Sequence, residues 1–224
     1  YKTDMVALSN NGEYIATISA DAQESRLYNA ITKKAIAQVK RHHGEVNCVG
    51  IDPSHRYMFS CGDDGKTFAM DVQSGKFVFT LPIHTDTVND IAFSANSNWV
   101  ATASYDTKIS VFNIATMTPK VKLKSNNAPI MKLIFIGNDR LVSVDKNSVG
   151  IVWDVHSGKV IHRLEGIHDD VTQMITDDEN NFLFLGTSLG YVLLYDLNTY
   201  QLLSKKYIKL SFSVTAFGFD AASK

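Results

Sequence analysis

Lys40 to Cys48 reads KRHHGEVNC and brings His42, His43, Glu45 and Cys48 within seven residues. Imidazole, carboxylate and thiol are the side chains that hold zinc or activate a nucleophile. A second set emerges further along the chain. His42 can be grouped with Ser60 and Asp64, and His84 with Thr102 and Asp106. Histidine, hydroxyl and carboxylate together invite hydrolase chemistry. The metal reading fails on spacing, because the cluster lacks the ligand intervals of a zinc site. Neighbouring residues at the start of a strand also point to opposite sides, so His42 and His43 should not face one ion. No glycine-rich phosphate loop occurs, and GDDGK at 62–66 has the composition of a β-turn.

The elements that must position these residues repeat. Five segments end on a large residue followed by an acid or amide: Tyr28, Met70, Phe112, Trp153 and Tyr195 mark them, spaced 42, 42, 41 and 42 residues apart. Each unit has the same internal order. An apolar strand such as VNCVGI or VNDIAF leads to a polar turn, and a second strand such as YMFSCG or WVATAS follows. A tight turn then carries Asp21, Asp64, Asp106, Asn147 or Leu189. The third strand ends on the marker residue, and a turn such as VQSGK leads to a fourth strand. Short β-branched and aromatic runs between turn residues are strand signals, and helical periodicity is absent. A period of this length is that of a four-stranded propeller blade.

The sequence resembles the WD-repeat β-propeller family along essentially its whole length. His42, His84 and His168 fall at the family's histidine position, His168 one residue closer to its following valine, and Trp153-Asp154 is an unmodified Trp-Asp pair. The resemblance implies an all-β fold of four-stranded antiparallel blades in a single domain over 1–224. Units end near 29, 71, 113, 154 and 196, with a partial sixth unit over 205–224 whose strand is SVTAFGF. Five complete repeats plus one strand imply part of a seven-bladed propeller. A compact ring of five or six blades, or closure by a partner, is the alternative.

The resemblance also assigns the polar triplets a structural role. His42, Ser60 and Asp64, then His84, Thr102 and Asp106, match a buried hydrogen-bond network that ties the inter-blade loop to the second strand and tight turn. A buried polar group must be paired, and a complete network rigidifies its joint. A catalytic set has no reason to recur in two successive blades at one period. The fourth blade keeps Ser143 and Trp153 but has Asn147 in place of the acid and no histidine. The fifth has Leu185 and Leu189, so apolar packing is expected to replace its network.

Composition narrows the function classes. The chain has 224 residues and a formal net charge of −1, from 22 basic and 23 acidic residues, which leaves no overall basic footprint for nucleic acid. No apolar run reaches the ~20 residues of a membrane helix. Cys48 and Cys61 are the two cysteines, read as buried thiols, with a bond between them geometrically possible. The cytoplasm is slightly favoured over an exported chain that has lost a signal peptide. A non-catalytic scaffold for a protein or peptide partner is therefore expected, as a possible subunit of a larger complex, with no cofactor, metal, nucleic acid or membrane insertion. A propeller enzyme or sensor with a small-molecule site in the channel is the alternative. The resemblance puts the partner on the face built by inter-blade loops and tight turns. Asp4, Glu45, Asn47 and Asp63 fall there, followed by Asn89, Tyr105, Met131, Lys146 and Asp170. The set is acidic in the first, second and fifth blades and more apolar in the third and fourth, where Tyr105, Pro129 and Met131 offer anchors.

Overall fold

The computed structural model describes residues 6–19, 21, 23–82, 84–124, 128–208 and 214. Among the described residues, twenty strands form five sheets. The first sheet is β1 (Val6–Leu8), β2 (Tyr14–Ile18), β3 (Ser25–Asn29) and β4 (Lys34–Val39). The second is β5 (Val46–Ile51), β6 (Tyr57–Gly62), β7 (Lys66–Asp71) and β8 (Phe77–Pro82). The third is β9 (Val88–Phe93), β10 (Trp99–Ser104), β11 (Lys108–Asn113) and β12 (Pro119–Lys124). The fourth is β13 (Ile130–Ile136), β14 (Arg140–Asp145), β15 (Gly150–Asp154) and β16 (Val160–Leu164). The fifth is β17 (Val171–Asp177), β18 (Phe182–Thr187), β19 (Tyr191–Asp196) and β20 (Leu202–Tyr207). Each is an antiparallel meander in chain order. Among the described residues, no helix is long and apolar enough to cross a membrane.

The turns explain why the chain reverses where it does. Leaving the inner strand, Ser9, Asp52 and Ser94 each accept the N–H of the residue five positions on, at 2.9, 2.5 and 2.9 Å. Short polar side chains that mimic backbone acceptors favour such turns. In the fourth sheet this turn is reduced to 137–139 between β13 and β14, which accounts for the one interval of 41 residues. In the second to fifth sheets the turn after the second strand has a left-handed residue, supplied by Gly65, Thr107, Ser148 and Gly190. At Gly65 a Cβ would come within 2.7 Å of the His84 carbonyl oxygen, so that turn also seats the following loop.

The core lies between sheets. Val49 and Ile51 on one face of the second sheet pack with Ala16, Ile18 and Leu27 of the first. Its other face, with Phe59 and Ala69, meets Val100 and Phe112 of the third. Ala101 and Val111 then meet Leu141 and Trp153, and Val142 and Val152 meet Leu183 and Tyr195. The two outermost faces differ. Val6 and Leu8 of β1 are 63% and 61% exposed, although they occupy the positions that Val49 and Ile51 bury in the second sheet. On the fifth sheet, Phe182, Phe184, Val192 and Leu194 are half-buried on the face turned away from the fourth.

Cys48 and Cys61 correct one sequence expectation. They stand directly opposite in the β5–β6 ladder and are joined as a disulfide, not held as two thiols. The cause is a bulge. Val46 pairs with Gly62, and Cys48 then pairs with Cys61, so Asn47 is the extra residue that brings the sulfurs face to face. The sixth strand expected at 213–219 lies outside the described residues, except for Val214.

Candidate interaction surface

Inter-blade loops and tight turns meet at one end of the sheets, and the polar triplets lie just beneath. In the second sheet His42 Nδ1 is 2.9 Å from Asp64 Oδ1, and its Nε2 is 3.0 Å from Ser60 Oγ. Asp64 also accepts the N–H of His43 at 3.1 Å and of Lys66 at 3.2 Å. Thus one carboxylate ties the incoming loop to its own turn. The His42 ring is fully buried and meets the Phe68 ring edge-on at 4.5 Å, whereas His43 is exposed.

The third sheet repeats this arrangement. His84 Nδ1 is 3.1 Å from Asp106 Oδ2 and Nε2 is 2.8 Å from Thr102 Oγ1. Thr85 N–H and Lys108 N–H donate to Asp106 at 3.2 and 3.0 Å. Burial pushes the His84 imidazole below its ordinary value, against the pull of Asp106. Burial opposes the Asp106 charge, but the His84 ring and the two N–H groups hold its carboxyl below the usual range. Asp64 is shifted the same way. A carboxylate locked by backbone donors, with a histidine beneath a closed surface, is arranged as a joint and not as a proton shuttle.

The fourth and fifth sheets use other atoms. Trp153 Nε1 donates to Ser143 Oγ at 2.8 Å. The turn acid is Asp145, which sequence spacing misses because it precedes Asn147 by two positions. Its carboxylate accepts Asn147 N–H and Val149 N–H, both at 2.9 Å. In the fifth sheet Tyr195 OH donates to Glu165 O at 2.6 Å, and burial pushes that phenol's pKa up. Thr187 Oγ1, which accepts Tyr191 N–H, closes its turn. His168 is exposed outside this set. Leu189 is 60% exposed, so it is not the apolar replacement for a turn acid. Leu185 and Leu193 supply the apolar contact.

The rim residues divide into two groups. Asn47 Nδ2 donates to Asp63 Oδ1 at 2.8 Å and, across the joint, to Val88 O at 3.2 Å. Asn89 Nδ2 donates to Ile130 O at 2.8 Å, and Thr172 Oγ1 donates to Val214 O. These side chains clamp β5 and β9 to the first apolar residue of the next inner strand, and β17 to Val214. Asp63 also accepts Glu45 N–H at 3.3 Å. One step deeper, Asp90 Oδ2 accepts Leu133 N–H at 2.8 Å, tying β9 to β13.

The second group faces outward. Lys146 Nζ sits 5.5 Å from the Tyr105 ring centroid across the joint between the third and fourth sheets. Pro129 and Met131 are half-buried beside it, and Pro129 O accepts Lys146 N–H at 2.8 Å. Glu45 and Asp170 are exposed on the same rim. Asp4 lies outside the described residues. No group of three or more histidine, cysteine, aspartate or glutamate side chains placed to hold a metal occurs among the described residues.

Comparison with known proteins agrees with this geometry. The family model described as "WD domain, G-beta repeat" matches residues 33–68 and 75–113. Each match starts at the outer strand of one sheet and ends in the third strand of the next, so the sequence repeat straddles two sheets. The chain is 21% identical over 135 residues to the WD repeat-containing protein 55 homolog of Drosophila yakuba, covering 60% of this chain and 27% of that protein. It is 24% identical over 131 residues to the homolog of Drosophila willistoni, covering 58% and 26%. The aligned stretch is thus about a quarter of these relatives' length. With five sheets of one topology and these two matched stretches, the chain is similar to the WD-repeat family.

Proposed function

We propose that the loop face binds a protein or peptide partner, with Tyr105, Met131 and Lys146 as its centre and Glu45 and Asp170 as an acidic margin. The observation that carries this reading is the Tyr105–Lys146 contact across a joint. An amphipathic ring and a long cation stand outward there, while Asn47, Asn89 and Asp63 are committed to holding the scaffold. Aromatic and long flexible side chains at a rigid surface are the usual anchors of an interface. The acidic margin favours a partner with basic character. The test is affinity capture from the protein's source with wild type and a Tyr105→Ala, Met131→Ala double variant. Loss of the natural partner with an unchanged melting temperature supports the assignment. Undiminished capture removes this surface from consideration.

We also propose that the five sheets are part of a larger ring, of seven blades as the family resemblance implies. Exposed Val6 and Leu8 support this, because their counterparts Val49 and Ile51 are buried by a preceding sheet. So does Val214, whose N–H donates to Thr187 O at 3.1 Å and whose carbonyl takes the Thr172 clamp, as the start of a further inner strand would. Low-resolution electron microscopy of the full-length protein, counting the blades, tests this reading.

A further inference from the structure

The outer edge of the second sheet is unlike its four counterparts. An outermost strand presents unpaired backbone groups and invites another strand, and proteins blunt such edges with charged side chains. Here β12 carries Lys120, Lys122 and Lys124, β16 carries Arg163, β20 carries Lys205 and Lys206, and β4 carries Lys34. Strand β8 reads FVFTLP and carries no charge. Among the described residues it pairs with β7 alone, and Phe77, Val78 and Phe79 stand 38%, 43% and 38% exposed. All five outer strands have a bulge, so the absence of charge sets β8 apart.

A groove of about 470 Å³ runs beside this edge, between the first and second sheets, lined by Val39, Lys40, Arg41, Met70 and Phe77. The Arg41 guanidinium lies 4.3 Å from the Phe77 ring centroid and has no carboxylate partner among the described residues. The nearby acids are already engaged. Glu24 holds Arg26, Gln38 and Lys40, and Asp71 caps its own turn through Ser74. Lys76 is exposed just before the strand. The edge therefore combines an unprotected apolar strand with a surplus of positive charge.

We propose that β8 is a strand-addition site for an extended acidic segment of a partner protein. The Val78 bulge turns Phe77 and Phe79 to opposite faces. The segment therefore pairs with the free β8 edge, sets apolar side chains against Phe79 on one face and places carboxylates toward Arg41, beside Phe77, on the other, with Lys76 at the start of the strand. Main-chain pairing supplies affinity in this mode, and alternate side chains supply specificity. The site is separate from the loop face, and the Tyr105→Ala, Met131→Ala variant should leave it intact.

The experiment uses the full-length protein, a labelled peptide of alternating Glu and Val, and its Lys-Val counterpart. Fluorescence anisotropy should show binding of the Glu-Val peptide tighter than about 1 mM. Hydrogen exchange of the β8 amides should slow when it binds. Arg41→Glu, and independently Lys76→Glu, should weaken that peptide by about tenfold and favour the Lys-Val peptide. Both changes are at exposed side chains, so an unaltered melting temperature verifies the fold. No binding, no protection in β8, or equal affinity in both variants overturns the proposal. Sedimentation that shows wild-type self-association lost in Val78→Lys overturns it in favour of a second copy on the edge.

Discussion

The second and third sheets close their joints with histidine, hydroxyl and aspartate, whereas the fourth and fifth do so with indole, phenol and a displaced acid. The backbone is the same in both halves. Tight-turn N–H groups donate to Glu45 O, Thr87 O, Pro129 O and Asp170 O, all at 2.8–2.9 Å. The fold therefore demands that loop and turn be tied together and that the space beneath be filled. It does not dictate which side chain does so. His42 and His84 fill and tie at once, while Trp153 and Tyr195 contribute bulk and one hydrogen bond each.

If this division is right, truncations should rank by how much filling and tying they remove. Trp153→Ala removes a buried ring between the third and fourth sheets and should cost about 3–5 kcal/mol in urea unfolding. Asp106→Ala orphans the His84 ring and two N–H groups and should cost about 1–3 kcal/mol. A smaller loss there than at Tyr195 would break the comparison. Acid sharpens it further. His84 binds its proton more weakly folded than unfolded, so its stabilisation is present above the ordinary histidine value of 6.5 and declines as pH falls below it. The lowered pKa of Asp106 adds a second loss as pH falls below the ordinary 3.8 toward its folded value. The melting temperature of wild type should decline with acid from near pH 6.5, and that of His84→Gln should decline less over the same interval. Tyr195→Phe keeps the ring and loses one hydrogen bond, about 0.5–1.5 kcal/mol by the same unfolding measurement. Leu189→Ala should change stability by less than about 0.5 kcal/mol, because that side chain is already in solvent.

Much of this was legible in the sequence because it is periodic. Strand order and the partners of His42 and His84 follow from intervals that stay constant between blades. The remainder depends on where neighbouring sheets come to rest. Asn47 and Asn89 look like solvated rim residues until the next inner strand arrives, forty-one positions later, with a carbonyl within reach. Asp145 replaces an acid expected at 147 because its own turn folds back over it, which spacing alone does not encode. Tyr195 occupies the marker position, but its hydroxyl finds Glu165 O only because the loop before β17 crosses above it. The Cys48–Cys61 bond depends on a one-residue bulge, which alternation cannot reveal.

Met131 interrupts the series of inter-sheet clamps, since a thioether has no proton to offer Val171 as Asn47 and Asn89 offer theirs. The joint between the fourth and fifth sheets is held at the loop end by Ser148 Oγ, which donates to Asp169 O at 2.9 Å, and is pinned from the other end as well. Arg140 Nη1 donates to Leu197 O at 3.1 Å and to Tyr200 OH at 2.8 Å, on the side away from the loops. Side-chain bonds thus fix this joint at both ends, without a clamp from the inner strand itself.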